Sequence, residues 1–118
     1  MGDAVKYYVI PVTGDITMHE VEELTLKDLQ TLVGGWIEYV YMNASQDGDI
    51  CPVFVVNEEG LPRGLHRNDR ATLIADDERP PTYLHGTAVL LGVNVHEDYE
   101  DASVPESFVK KYAGILKA

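Results

Sequence analysis

Arginine placement is the strongest chemical signal in the chain. All four arginines, Arg63, Arg67, Arg70 and Arg79, fall in one stretch of a sequence that carries 20 acidic against nine basic residues. A guanidinium fork suits phosphate or carboxylate, and Arg67 to Arg70 bracket an expected helix start with free amides of its own. Arg63, Arg67 and Arg70 are therefore candidates for holding a small anionic ligand such as a nucleotide. Acids crowd the same stretch, at Glu58, Glu59, Asp69, Asp76, Asp77 and Glu78. The competing reading is a surface ion-pair network that contributes little stability. A second group, Glu38, Asn57, Glu58 and Glu59, lies on segments expected to pair. It reads either as a polar pocket or as turn residues with solvated glutamates.

Other chemistries find little footing. The four histidines, His19, His66, His85 and His96, lack the spacing of a zinc site, and neither HExxH nor paired CxxC is present. Neither metal nor cofactor is expected. There is no GxSxG, Walker loop or GxGxxG, and Cys51 beside Pro52 reads as a packed strand residue rather than a thiolate nucleophile. Trp36, Tyr39 and Tyr41 have the ring faces to stack on bases, but the net charge of −11 opposes direct nucleic-acid binding. These aromatics read instead as core or as an interface. With the acidic run Glu97, Asp98, Glu100 and Asp101 they are the candidate protein-contact residues.

The elements that must position these groups centre on residues 26–42. Thr25 is an expected N-cap with Asp28 three residues on, and Leu26, Leu29, Leu32 and Val33 follow at helical spacing. Gly34 or Gly35 closes the helix, and from Trp36 the period changes to two. Residues 36–42 are apolar on both faces and read as a central strand. Upstream, residues 4–12 form an expected first strand, Gly14-Asp15 a turn, and residues 16–21 a polar edge strand. Downstream, Asp47-Gly48 signals a hairpin, so that 36–42 and 52–57 pair antiparallel. Asn68 is placed to cap a short helix from Asp69 to Ile74, with residues 76–81 as a polar surface loop. Residues 87–95 form the most apolar strand, in which Gly92 marks a bulge or close contact. Ser103-Val104-Pro105-Glu106 reads as a capping box opening a C-terminal helix over 103–117, with Phe108, Tyr112, Ile115 and Leu116 on one face.

The expected fold class is α+β: a mostly antiparallel sheet of about five strands, with two to three helices packed on one side. The 118 residues are expected to form a single domain with one core. No run approaches the roughly 20 apolar residues of a membrane span, so no membrane is expected as a partner. The lone cysteine and the absence of a basic-then-apolar N-terminal pattern point to the cytoplasm. The acidic balance favours solubility or basic partners; an acid-rich or halophilic host or a well-solvated surface is the simpler reading of it, and a surface that imitates the phosphate array of DNA is the sharper one.

Three segments in order, LKDLQTLVGGWIEYV at 26–40, VFVVNEEGLPRGLHRNDRATLI at 53–74 and LHGTAVLLG at 84–92, resemble a family of small proteins found mainly in phages and mobile elements, catalogued as domain of unknown function 3846. The likeness covers most of residues 5–93 and fits the C-terminal helix more loosely. Residues 62–68 depart from the Pro-Pro-Asn expected after Gly-Leu. The resemblance implies a mobile-element origin and no particular reaction. Together these readings favour a non-enzymatic interaction module that binds a host protein, in counter-defence or nucleic-acid-related work, with a homodimer as the default assembly. The alternative is a small anionic ligand or nucleotide binder using Arg63, Arg67 and Arg70, with Asn57 and Glu59.

Overall fold

The computed structural model describes residues 4–117. The first three residues, which open the stretch read for a secretion signal, lie outside the described residues. In chain order the elements are β1 (Val5–Ile10), β2 (Thr17–Val21), α1 (Leu26–Val33), β3 (Ile37–Tyr41), a 3-10 turn (Asn43–Ser45), β4 (Ile50–Asn57), α2 (Asp69–Glu78), β5 (Ala88–Asn94), β6 (Glu100–Ala102), α3 (Glu106–Lys111) and α4 (Ala113–Leu116). The strands form one antiparallel sheet in the order β2-β1-β5-β4-β3, with β6 pairing β5 beyond the end of β1. The α+β class and the mostly antiparallel sheet are as expected.

Two expectations about the sheet are corrected. The helices pack on both sides of the sheet rather than one, because β4 and β5 alternate large apolar residues on both faces. Val53, Val55, Val89 and Leu91 meet Leu29 and Val33 of α1, while Phe54, Val56 and Leu90 meet Ile74 of α2 and Phe108 and Leu116 of α3 and α4. β3 is an edge strand rather than a central one. Its two apolar faces reflect this double cover: Ile37, Tyr39 and Tyr41 pack toward the α1 side and Val40 toward the other. The lateral edge stays open.

Local chemistry fixes several joints. Thr25 and Asp28 form a capping box on α1, and Gly34 closes it at φ 79°. Gly35 matters for a different reason: a Cβ there would lie 2.8 Å from Nδ2 of Asn57, whose amide donates to Val33 O. Asn68 caps α2, which runs on to Glu78, so Asp76, Asp77 and Glu78 are helical rather than a loop. Gly92 makes the close contact expected of it, since a Cβ would meet Ser103 O at 2.4 Å.

The C-terminal capping box does not form. Ser103 Oγ accepts from Lys6 N and donates to Ala4 O, so its hydroxyl is bound to the β1 side of the sheet, and α3 begins at Glu106 without a side-chain cap. The expected single helix over 103–117 is broken at Tyr112 into α3 and α4. Phe108, Tyr112 and Leu116 are nevertheless buried as their spacing implied. Among the described residues, no helix is long and apolar enough to cross a membrane.

Candidate functional site

The β5–β6 connection builds the most unusual surface feature. Glu100 N donates to Glu97 O at 3.0 Å, closing a turn whose central residues, Asp98 and Tyr99, both have positive φ, 51° and 55°. Such a turn matches the twist of a hairpin but is normally made by Asn and Gly, because a Cβ is crowded in the left-handed region. Here a tyrosine occupies it and remains 61% exposed. The Tyr99 ring meets Tyr41 edge-on at 6.3 Å between centroids, and Tyr41 stacks on Tyr39 at 6.1 Å. Tyr39 Oη donates to Asp101 Oδ1 at 2.9 Å, tying β3 to β6 across residues 62 apart in sequence. Burial pushes the Asp101 carboxyl above its usual range, with the Tyr39 hydrogen bond opposing it. Burial and the neighbouring Asp101 push the Tyr39 phenol up as well.

The structure thus joins the two halves of the expected contact surface. Tyr39, Tyr41 and Asp101 meet, and Glu97, Asp98 and Glu100 stand exposed around Tyr99. A shallow groove of about 670 Å³ beside them is lined by Tyr41, Tyr99, His96 and Arg79. Trp36 does not join the tyrosines. It precedes β3, 64% exposed, and its alternation places it on the face of Glu38 rather than Tyr39.

On that other face, Glu38 and Val40 of β3 line a cleft of about 450 Å³ with Glu58, Arg79, Tyr83 and His85. Glu38, Asn57 and Glu58 are brought together here, while Glu59 turns away to pair with Arg63 at 3.2 Å. Asn57 is buried, and Glu59 N donates to its Oδ1 at 2.8 Å, so its amide holds the turn. The arginines have separate partners. Arg67 Nε pairs with Asp69 at 3.1 Å and lies over the Tyr83 ring, whereas Arg70 donates to Pro11 O at 2.8 Å. Arg79 donates to Tyr41 O at 2.9 Å and lines both the cleft and the groove.

Cys51 is buried in the sheet, its thiol donating to Asn43 Oδ1 at 3.4 Å, and burial pushes its pKa up. His85 Nδ1 lies 3.2 Å from Leu65 O. Among the described residues, no three His, Cys, Asp or Glu side chains gather to hold a metal ion. Tyr99 and Arg79 were absent from the contact residues read from sequence. A turn of Asp98-Tyr99 carries no glycine to announce it, and the Arg79 bond to the β3 edge spans 38 residues.

The fold and this surface define a small α+β domain, an antiparallel sheet with helices on both faces and one aromatic, acidic side. The family model described as a domain of unknown function, DUF3846, matches residues 5–117, and the chain belongs to that family. The match runs past residue 93 and through the C-terminal helices. No curated protein and no solved structure matches the chain.

Proposed function

We propose that this chain is a non-enzymatic interaction module that binds a protein partner through the side of the sheet formed by β3 and the β5–β6 turn. In this reading it acts in the cytoplasm of a cell that carries a phage or mobile element, and the partner is a host protein with a basic surface. The observation that carries the reading is Tyr99, held exposed at positive φ in a position that glycine or asparagine would occupy with less strain. Tyrosines stacked in a cluster and ringed by acids have the composition of a protein interface, where aromatic groups supply contact area and flanking charges steer association.

The test is capture from host lysate on immobilised protein at low and physiological salt, beside a variant carrying Glu97→Gln, Asp98→Asn and Glu100→Gln. A partner retained by the native chain, and lost both in the variant and at raised salt, is the expected result. Retention indifferent to both changes, or none above the bare matrix, refutes the reading.

A further inference from the structure

β3 presents a free strand edge. Trp36 O accepts from Glu58 N at 2.9 Å and Met42 N donates to Pro52 O at 3.0 Å, so the even-numbered residues face β4. The alternation of an antiparallel ladder turns the N–H and C=O groups of Ile37, Tyr39 and Tyr41 outward. Tyr41 O is taken by Arg79, at 2.9 Å. Among the described residues, Ile37 and Tyr39 have no neighbouring strand on that side. An unpaired edge of this kind is a template for another chain. Side chains of an added strand would fall alternately on the two faces that flank β3. One is the tyrosine face, and the other is the cleft containing Glu38 and Glu58. Both glutamates are exposed, and neither forms an ion pair among the described residues.

We propose that β3 accepts an added strand from the partner: an extended segment pairs with Ile37 and Tyr39 and places a lysine or arginine in the cleft lined by Glu38 and Glu58. This rests on the reading of the β3 side as the partner surface and names the partner's chemistry. A second copy of the chain fits less well, because it would oppose two chains of net charge −11 and bring their Glu38 carboxylates toward one another. Arg79 sets the end of the register, since its guanidinium already fills the bond at Tyr41 O that a longer strand would need.

The probe is a set of eight-residue peptides alternating threonine and valine, each with one lysine at successive positions, followed by fluorescence anisotropy. One register of lysine is expected to bind, and binding is expected to fall on N-methylation of the alternate amides that pair and to weaken with salt. Glu38→Gln is expected to weaken it about tenfold. Ile37→Pro, which removes an outward donor without touching the β4 ladder, is expected to abolish it. Glu38→Gln is a surface change that keeps the test valid if the proline variant fails to fold. Absence of binding at millimolar peptide, or binding indifferent to N-methylation and to Glu38→Gln, overturns the proposal. If Ile37→Pro still captures the lysate partner while Tyr99→Asn does not, strand addition is wrong and the interaction reading stands. If both variants capture it, both readings fall.

Discussion

Replacing Tyr39 with phenylalanine removes one oxygen and keeps the ring, so its effect isolates the bond that joins β3 to β6. That bond is a 2.9 Å donation to Asp101, between two half-buried groups. A hydrogen bond to a charged acceptor contributes about 1.5–3 kcal/mol when water is excluded, and partial access of water here brings the expected loss to about 1 kcal/mol. For a chain of this size the melting midpoint would drop by about 4 °C. Asp101 supplies a second readout. Burial raises its pKa against the opposing Tyr39 bond, so loss of the donor raises it further. A carboxylate with a folded pKa above its unfolded value binds more protons when folded. Its contribution to stability therefore falls as pH rises through the interval between the two values. In Tyr39→Phe that interval extends to higher pH, and the gap between variant and native protein widens across it. Urea unfolding over a pH series, with carboxyl titration by NMR, measures both effects. Equal stability at neutral pH together with an unchanged Asp101 titration would refute the bond and the joint surface built on it.

Two further perturbations test the frame behind this surface. Asn68 is buried, donates to Ile10 O at 2.7 Å and Gly86 O at 3.0 Å, and accepts from Ala71 N at 3.0 Å. Asn68→Ala removes a helix cap and strands two buried carbonyls, so calorimetry should show a loss of about 3 kcal/mol, and a loss below about 1 kcal/mol would contradict the account. Lys111 Nζ lies 2.7 Å from Glu78, whose side chain is 1% exposed and whose other carboxylate oxygen is buried without a partner. Burial raises the Glu78 pKa, but bonds from Lys111, Ser45 and Tyr112 and the Lys111 charge outweigh it and leave the value lowered. Its contribution is present above the ordinary glutamate range and lost as pH falls through the lowered value. Lys111→Met should move the onset of acid unfolding to higher pH, and an unmoved onset would show that the pair does not hold α2 to α3.

Much of the fold was legible because local chemistry announced it. Thr25, Asp28 and Gly34 bound α1 in both sequence and structure, and the apolar run ending at Val95 is a buried strand in both. The errors came where long-range contacts prevailed over local signals. Ser103 looks like a cap beside Pro105, yet its hydroxyl is engaged at both Lys6 N and Ala4 O. Apolar alternation on both faces of β3 says that both faces are covered and does not say that both edges are paired. For the candidate site, residue type showed which groups were chemically apt, while their neighbours depended on topology. Tyr39 and Asp101 meet because β3 and β6 belong to one sheet. The side chains of Asn57 and Glu59, read together, separate because the Asn57 amide is bound into the turn at Glu59 N while the Glu59 carboxylate reaches Arg63.

The most direct test of the proposed interaction surface is Tyr99→Asn, with unfolding stability and affinity for any captured partner measured on the same preparation. Asparagine tolerates the 55° φ that tyrosine occupies with strain, so stability should hold or rise by up to about 1 kcal/mol even as the ring contact with Tyr41 is lost. Binding should weaken at least about tenfold. A variant that keeps both its stability and its affinity would contradict the claim that Tyr99 is held exposed for a partner.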